Sequence, residues 1–210
     1  IKALQRLKLE YENIRAINPR IIYALATGFG ERGEERHKPG YDTVCYWSRS
    51  AIETQVFPYE GWLSAFPYGA GDHPSGMTLF AAIMTGLYRR QRTSEGCKVS
   101  TSLLANGAWA NSVMLQAQLS GARFKEKRPR DNAYNFISLH YPTRDDRLLK
   151  LSLVNSKRDW RPFCAALSRS DFLDDDRFST DAARVENMPE LIREISATFV
   201  TQDIAHWQSK

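Results

Sequence analysis

The stretch Arg20-Ile21-Ile22-Tyr23-Ala24-Leu25-Ala26-Thr27 is nearly continuous in apolar residues and is closed by Gly28. A strand with one wet face alternates polar and apolar residues. This one does not, and so suits a strand buried on both faces, as in a parallel sheet. Before it, Leu4, Leu7, Tyr11 and Ile14 recur every three or four residues, which predicts a helix that Asn18-Pro19 ends. A helix followed by a doubly buried strand implies an α/β fold. The chain holds 42% hydrophobic and 25% charged residues, a globular balance for one or two domains, and has no apolar run long enough for a transmembrane helix. Its first residues, Ile1 to Arg6, carry neither an initiator Met nor an apolar signal core, so the chain reads as the interior of something longer, soluble and cytoplasmic.

Residues 31–38 are polar and charged, and Pro39-Gly40 marks a turn. A helix is expected over 41–55, then a loop bearing Pro58, Gly61, Pro67, Gly69 and Gly71. A long helix over 74–92 follows, with Met77, Phe80, Ala81, Met84, Leu87 and Tyr88 on one face and Arg89, Arg90 and Arg92 suiting its C-terminal end. A short strand is expected over 99–104 and a helix over 109–119. Composition breaks at residues 123–130, where five bases meet one acid without apolar period. This predicts a basic linker, 123–131, between part of a large domain, 1–122, and a smaller α/β domain, 132–210. In the latter, 134–141 and 148–154 read as a hairpin turning at 142–147, with helices over 157–167 and 187–199.

The chemistry-bearing residues are few. Cys45, Cys97 and Cys164 are odd in number and far apart, and His37, His73, His140 and His206 never fall at ligand spacing, which argues for free thiols and against a metal site. A net charge of +5 favours anionic ligands without choosing among them. The basic stretch offers only Phe124 for base stacking, so no nucleic-acid partner is expected. Gly28-Phe29-Gly30-Glu31-Arg32-Gly33 matches a dinucleotide fingerprint, but Glu31, Glu34 and Glu35 would oppose a phosphate and Pro39 stops any helix, so it reads as a decoy. Gly69-Ala70-Gly71-Asp72-His73-Pro74-Ser75-Gly76 leads into the long helix. Asp72 or His73 would cap that helix, with Pro74 near its first position. Equally, a carboxylate on a fixed glycine-rich turn is a nucleophile that a bulky substrate can approach. A triad of Ser75 with His73 has no acid partner at motif spacing.

Taken together, several segments resemble the class III (family III) coenzyme A transferases. They are Leu4-Gln5-Arg6-Leu7, Asn18-Pro19-Arg20 through Ala24, Thr27-Gly28-Phe29-Gly30, Pro39-Gly40-Tyr41-Asp42, and Phe66-Pro67-Tyr68 with Gly71-Asp72 and Gly76. Arg92-Thr93-Ser94-Glu95-Gly96, Val99 to Leu104, Leu149 to Trp160 and Asp174 to Phe178 continue the resemblance in order, so that it covers nearly the whole chain.

The resemblance implies part of a Rossmann-like large domain with a small α/β domain, normally in an interlocked homodimer. It implies CoA transfer from an acyl-CoA to a carboxylic acid through an anhydride and then a thioester on Asp72. No permanently bound cofactor is implied, coenzyme A entering as substrate. Arg6, Tyr41 and Gly71 match positions around the CoA and the active site. Amides near Gly69 to Gly71 would stabilise the oxyanions. Acyl-CoA racemases of the same fold carry His where Tyr41 stands, and a phenol is a poor proton shuttle at neutral pH, which favours the transferase. Members are roughly double this length, so the chain reads as a fragment, with a non-catalytic interaction protein as the alternative from another class.

Overall fold

The computed structural model describes residues 2–56, 67–152 and 155–210. The chain divides into two compact units, Ile1–Phe124 and Lys125–Lys210, both mixing helices and strands. Among the described residues no helix is long and apolar enough to cross a membrane.

The first unit opens with two helices where the periodicity suggests one, α1 (Lys2–Arg6) and α2 (Tyr11–Ile17). Lys8 takes a left-handed conformation, φ 55°, that breaks the helical path. Asn18 then closes α2, and its side-chain Oδ1 accepts from the Arg20 N–H at 3.0 Å. Strand β1 (Ile22–Thr27) follows, and the expected helix over 41–55 becomes a π-helix at Thr43–Ser48 and a short α3 (Glu53–Val56). The left-handed Ala51, φ 61°, separates these two.

Helix α4 (Asp72–Thr93) starts two residues earlier than its pattern suggests. It leads to β2 (Cys97–Ser102), which pairs in parallel with β1 from Ile22 opposite Cys97 to Thr27 opposite Ser102. Parallel pairing agrees with the apolar run, but no residue of β1 is fully buried, so the expectation of two covered faces is corrected for the described residues. The apolar stripe of α4 keeps one face, and that face is turned away from the sheet. Gly86 faces the sheet, where a Cβ would meet Cys97 Sγ and Ile22 Cγ2 at 3.1 Å. Approach that close selects small side chains, so Met77, Phe80, Met84 and Tyr88 point outward, 48–65% exposed. Beyond β2 come α5 (Leu103–Ala110) and α6 (Ser112–Leu119), where one later helix is expected. Ser102 Oγ caps α5 by accepting from the Ala105 N–H, and the buried Asn111 between the two helices donates to the Ser50 carbonyl at 3.0 Å.

In the second unit, β3 (His140–Pro142) and β4 (Leu148–Lys150) form an antiparallel pair. The first strand starts later than its pattern because Asn135 Oδ1 accepts from both the N–H and the hydroxyl of Ser138, bending the backbone there. Residues 153 and 154, in the expected second strand, lie outside the described residues. Helices α7 (Ser156–Ala166), α8 (Asp181–Glu186), α9 (Met188–Phe199) and α10 (Ile204–Gln208) enclose an aromatic core. Phe172 lies against Trp160 and edge-on to Phe178, and the Tyr141 hydroxyl donates to the Phe136 carbonyl at 2.7 Å. Arg184, 4% exposed, lies over the Trp160 ring and satisfies its charge on the Phe178 carbonyl and Asp181. The basic stretch packs on this unit as well, with the Arg128 guanidinium 4.0 Å from the Tyr134 ring centre. All three cysteines are buried free thiols.

Candidate functional site

A cleft of ≈320 Å³ opens in the first unit at the carboxyl ends of the parallel strands, lined by Ala26, Thr27, Gly28, Gly40, Asp72, Ser75, Gly76, Leu79, Thr101 and Leu103. Open α/β sheets bind their ligands in that position. In its wall two backbones approach closely. A Cβ on Gly28 would sit 2.5 Å from Gly40 Cα, and a Cβ on Gly40 would sit 2.5 Å from Gly28 Cα. That approach, rather than a phosphate, accounts for Gly28. No α-helix opens at Gly28-Gly30-Gly33; the chain makes a short 3-10 helix at Glu34–His37 and runs on to Gly40. Two acids of this stretch are neutralised locally. Glu31 pairs with Lys98, and Glu35 pairs with Lys38 at 3.0 Å and Arg49 at 2.6 Å, which hold its carboxyl below the usual range.

Asp72 is the first residue of α4. Gly71 occupies the cap position and no side chain makes a cap hydrogen bond, so the expectation that Asp72 or His73 caps the helix is corrected. The His73 ring instead lies beside Gly69, 3.3 Å from where a Cβ there would stand. Asp72 is exposed, and its carboxylate has no hydrogen bond among the described residues. It therefore stands free at the positive end of a 22-residue helix, where backbone N–H groups favour an anion.

The backbone before it is held on both sides. The Gly71 N–H donates to Asp42 Oδ2 at 3.2 Å, and the Gly71 carbonyl accepts from the Ser75 hydroxyl at 2.7 Å and from the Ser75 N–H at 3.2 Å. The Ala70 N–H donates to the Pro67 carbonyl at 3.2 Å. Two of the amides expected to receive oxyanions, those of Ala70 and Gly71, are thus already engaged.

Of the residues singled out from the sequence, Gly71 and Asp72 adjoin at the cleft, Asp72 lining it and Gly71 buried behind. Tyr41 follows the wall residue Gly40 and is 71% exposed, outside the lining. Arg6 ends α1 on the surface and does not line the cleft either. Phe66 lies outside the described residues. Sequence reasoning missed the contacts of Asp42 and Ser75 with Gly71. Ser75 falls one helical turn after the cap and is readable as a back-bonding serine. Asp42 is 29 residues from its partner, and no local pattern signals the pairing.

Comparison with known proteins places these observations. A family model described as CoA-transferase family III matches residues 1–210. The (R)-2-hydroxy-4-methylpentanoate CoA-transferase of Clostridioides difficile is 24% identical over 211 residues, spanning 100% of this chain and 52% of the relative. The succinyl-CoA:glutarate CoA-transferase of Mus musculus is 29% identical over 206 residues, spanning 97% of this chain and 46% of the relative. The chain thus spans about half the length of the curated relatives it matches. Among solved structures, a CAIB/BAIF family protein from Brucella suis superposes with a TM-score of 0.79 at 22% identity, over 99% of this chain and 55% of that one. Rv3272 from Mycobacterium tuberculosis does so with a TM-score of 0.75 at 22% identity, over 99% and 53%. These two likenesses establish the fold.

Proposed function

Because this chain belongs to CoA-transferase family III, we propose that it carries the nucleophile of an acyl-CoA:carboxylate CoA-transferase, and that the nucleophile is Asp72. One observation carries the reading: the Asp72 carboxylate lies in a glycine-walled cleft at the positive end of α4, without a hydrogen-bond partner among the described residues. The names of the curated relatives, all CoA-transferases in the two cases above, support transfer over racemisation.

The steps exchange one activated acyl group for another. An Asp72 oxygen attacks the thioester carbonyl of the donor, the C–S bond breaks, and CoA leaves as thiolate from a mixed anhydride. The thiolate then attacks the Asp72 carbonyl carbon, forming an aspartyl-CoA thioester and releasing the donor acid as carboxylate. The acceptor carboxylate attacks that thioester, regenerating thiolate and a new anhydride. Attack of the thiolate on the acceptor's carbonyl yields the new acyl-CoA and returns Asp72. Each charge released in one step is consumed in the next, and water must be kept from the anhydride.

Acyl-CoA is thus a substrate, with no permanently bound group in the scheme. We also propose the interlocked homodimer and the Rossmann-like completion of the large domain for the whole protein, with Arg6 and Tyr41 serving the CoA. Buried free thiols suit a reducing, cytoplasmic setting.

The test is hydroxylamine trapping. Intact protein incubated with a panel of acyl-CoAs and hydroxylamine should gain a hydroxamate mapped by peptide mass spectrometry to Asp72, and Asp72→Ala should gain none and lose label exchange between acyl-CoA and free acid. Retained exchange in Asp72→Ala refutes the assignment. Loss of an α-proton to deuterated solvent, without exchange, would identify a racemase instead.

A further inference from the structure

We propose that Asp42 is a positioning residue for Asp72, fixing the peptide that carries the nucleophile without touching substrate. The inference rests on reading Asp72 as the nucleophile. Asp42 directly precedes the π-helix Thr43–Ser48 but makes no cap hydrogen bond to it, so its carboxylate is not spent on its own helix. It reaches across 29 residues to the Gly71 N–H instead. The other oxygen, Oδ1, is shielded from solvent and has no hydrogen-bond partner among the described residues. It lies 2.2 Å from where a Cβ on Gly71 would stand. Tyr46, one turn further along the same helix, crowds the same point, its Cγ 2.3 Å away.

Gly71 therefore packs against both a carboxylate and an aromatic side chain, with its N–H held by Asp42 and its carbonyl held twice by Ser75. A buried carboxylate oxygen without a partner is a costly arrangement, and a sequence keeps it where the other oxygen does something a neutral apolar residue cannot. Here that task is to accept the N–H of Gly71 itself, the residue that leads into α4. With both peptide groups of Gly71 fixed, the Cα of Asp72 has little freedom, and its carboxylate meets the substrate from a set direction.

The experiment combines steady-state kinetics with the rate of hydroxylamine trapping at Asp72 in intact protein. Asp42→Ala removes the acceptor. It should lower kcat and the trapping rate by about 10- to 100-fold, the loss that accompanies a nucleophile displaced by about an ångström. KM for the acyl-CoA should stay within about threefold, since no substrate contact is removed. Asp42→Asn keeps an oxygen that can accept from Gly71 and should recover most of the rate, which a purely electrostatic role would not produce. Asp42→Ser, polar but too short to reach Gly71, should behave like the alanine variant and carries the test should that variant fail to fold. Wild-type rates in Asp42→Ala or Asp42→Ser, a loss confined to KM, or an asparagine variant as impaired as alanine would each overturn the proposal. Failure of the wild type to trap at Asp72 would bring down the functional reading and this one together. Normal trapping that Asp42 variants leave unchanged would bring down only this one.

Discussion

Replacing Gly71 by alanine isolates the packing around the nucleophile's turn. The backbone at Gly71 is right-handed, φ −94°, so alanine meets no conformational strain and any loss comes from space. The added methyl would lie 2.2 Å from Asp42 Oδ1, 2.3 Å from Tyr46 Cγ and 2.6 Å from Tyr46 Cβ, all impossible distances that force one neighbour to move. Overpacking of this kind costs about 1–3 kcal/mol. If the carboxylate yields, its charge-assisted bond to the Gly71 N–H is lost as well, about 1.5–3 kcal/mol. The stiffer unfolded chain returns about 0.4–1 kcal/mol. The net expectation is a first unit less stable by about 2–5 kcal/mol, with slower labelling of Asp72. Urea unfolding followed by the fluorescence of Trp47 and Trp109, which lie in that unit, measures the first quantity, and hydroxylamine trapping the second. A variant within about 0.5 kcal/mol of wild type that labels at the wild-type rate refutes the close packing described for Gly71.

Gly76→Ala is the converse case, since its Cβ would meet nothing within 4 Å; it should stabilise α4 by about 0.5–1 kcal/mol in the same unfolding assay, while narrowing the cleft and lowering kcat/KM for bulky acyl donors more than for small ones. Burial pushes the Cys164 thiol up to about 11 and raises Cys45 as well, so iodoacetamide at pH 8 should label neither in the native protein, and native labelling at the rate of a free thiol would contradict this. In the second unit, hydrogen bonds from Arg169, Arg177 and Arg144 hold the carboxyls of Asp171, Asp175 and Asp203 below their ordinary values. Depressed carboxyls stabilise above the unfolded value, near 4, and lose that contribution as pH falls through the folded ones, so the melting temperature should be level above about pH 5 and drop below about pH 4. A melting temperature that rises on acidification over that range would show the ion pairs contribute nothing.

Elements defined by their own composition were legible in the sequence. The apolar run of β1, the length of α4 and the amphipathic α7 and α9 all stand close to their expected bounds. What escaped depends on partners distant in sequence or on rare backbone states. Nothing marks Lys8 or Ala51 as left-handed, because neither is a residue type that favours that region. Which way the apolar stripe of α4 turns was not readable, because periodicity locates a stripe but not its partner, and a helix pressed against a sheet presents its small residues. At the site, Asp72 could be chosen from its glycine-rich setting, yet its place as first helical residue rather than cap could not. The grip of Asp42 on Gly71 had no local signature at all.

The close approach of Gly28 and Gly40 has a consequence for how this wall can change over generations. Each glycine occupies the volume that a side chain on the other would need, and Cys45 Sγ stands within about 3 Å of both positions. Alanine at either site fails for the same reason, and alanine at both brings two methyls into one space, so the paired loss should exceed the sum of the single ones. No single substitution at one position opens a path for the other. The two positions are therefore locked as a pair.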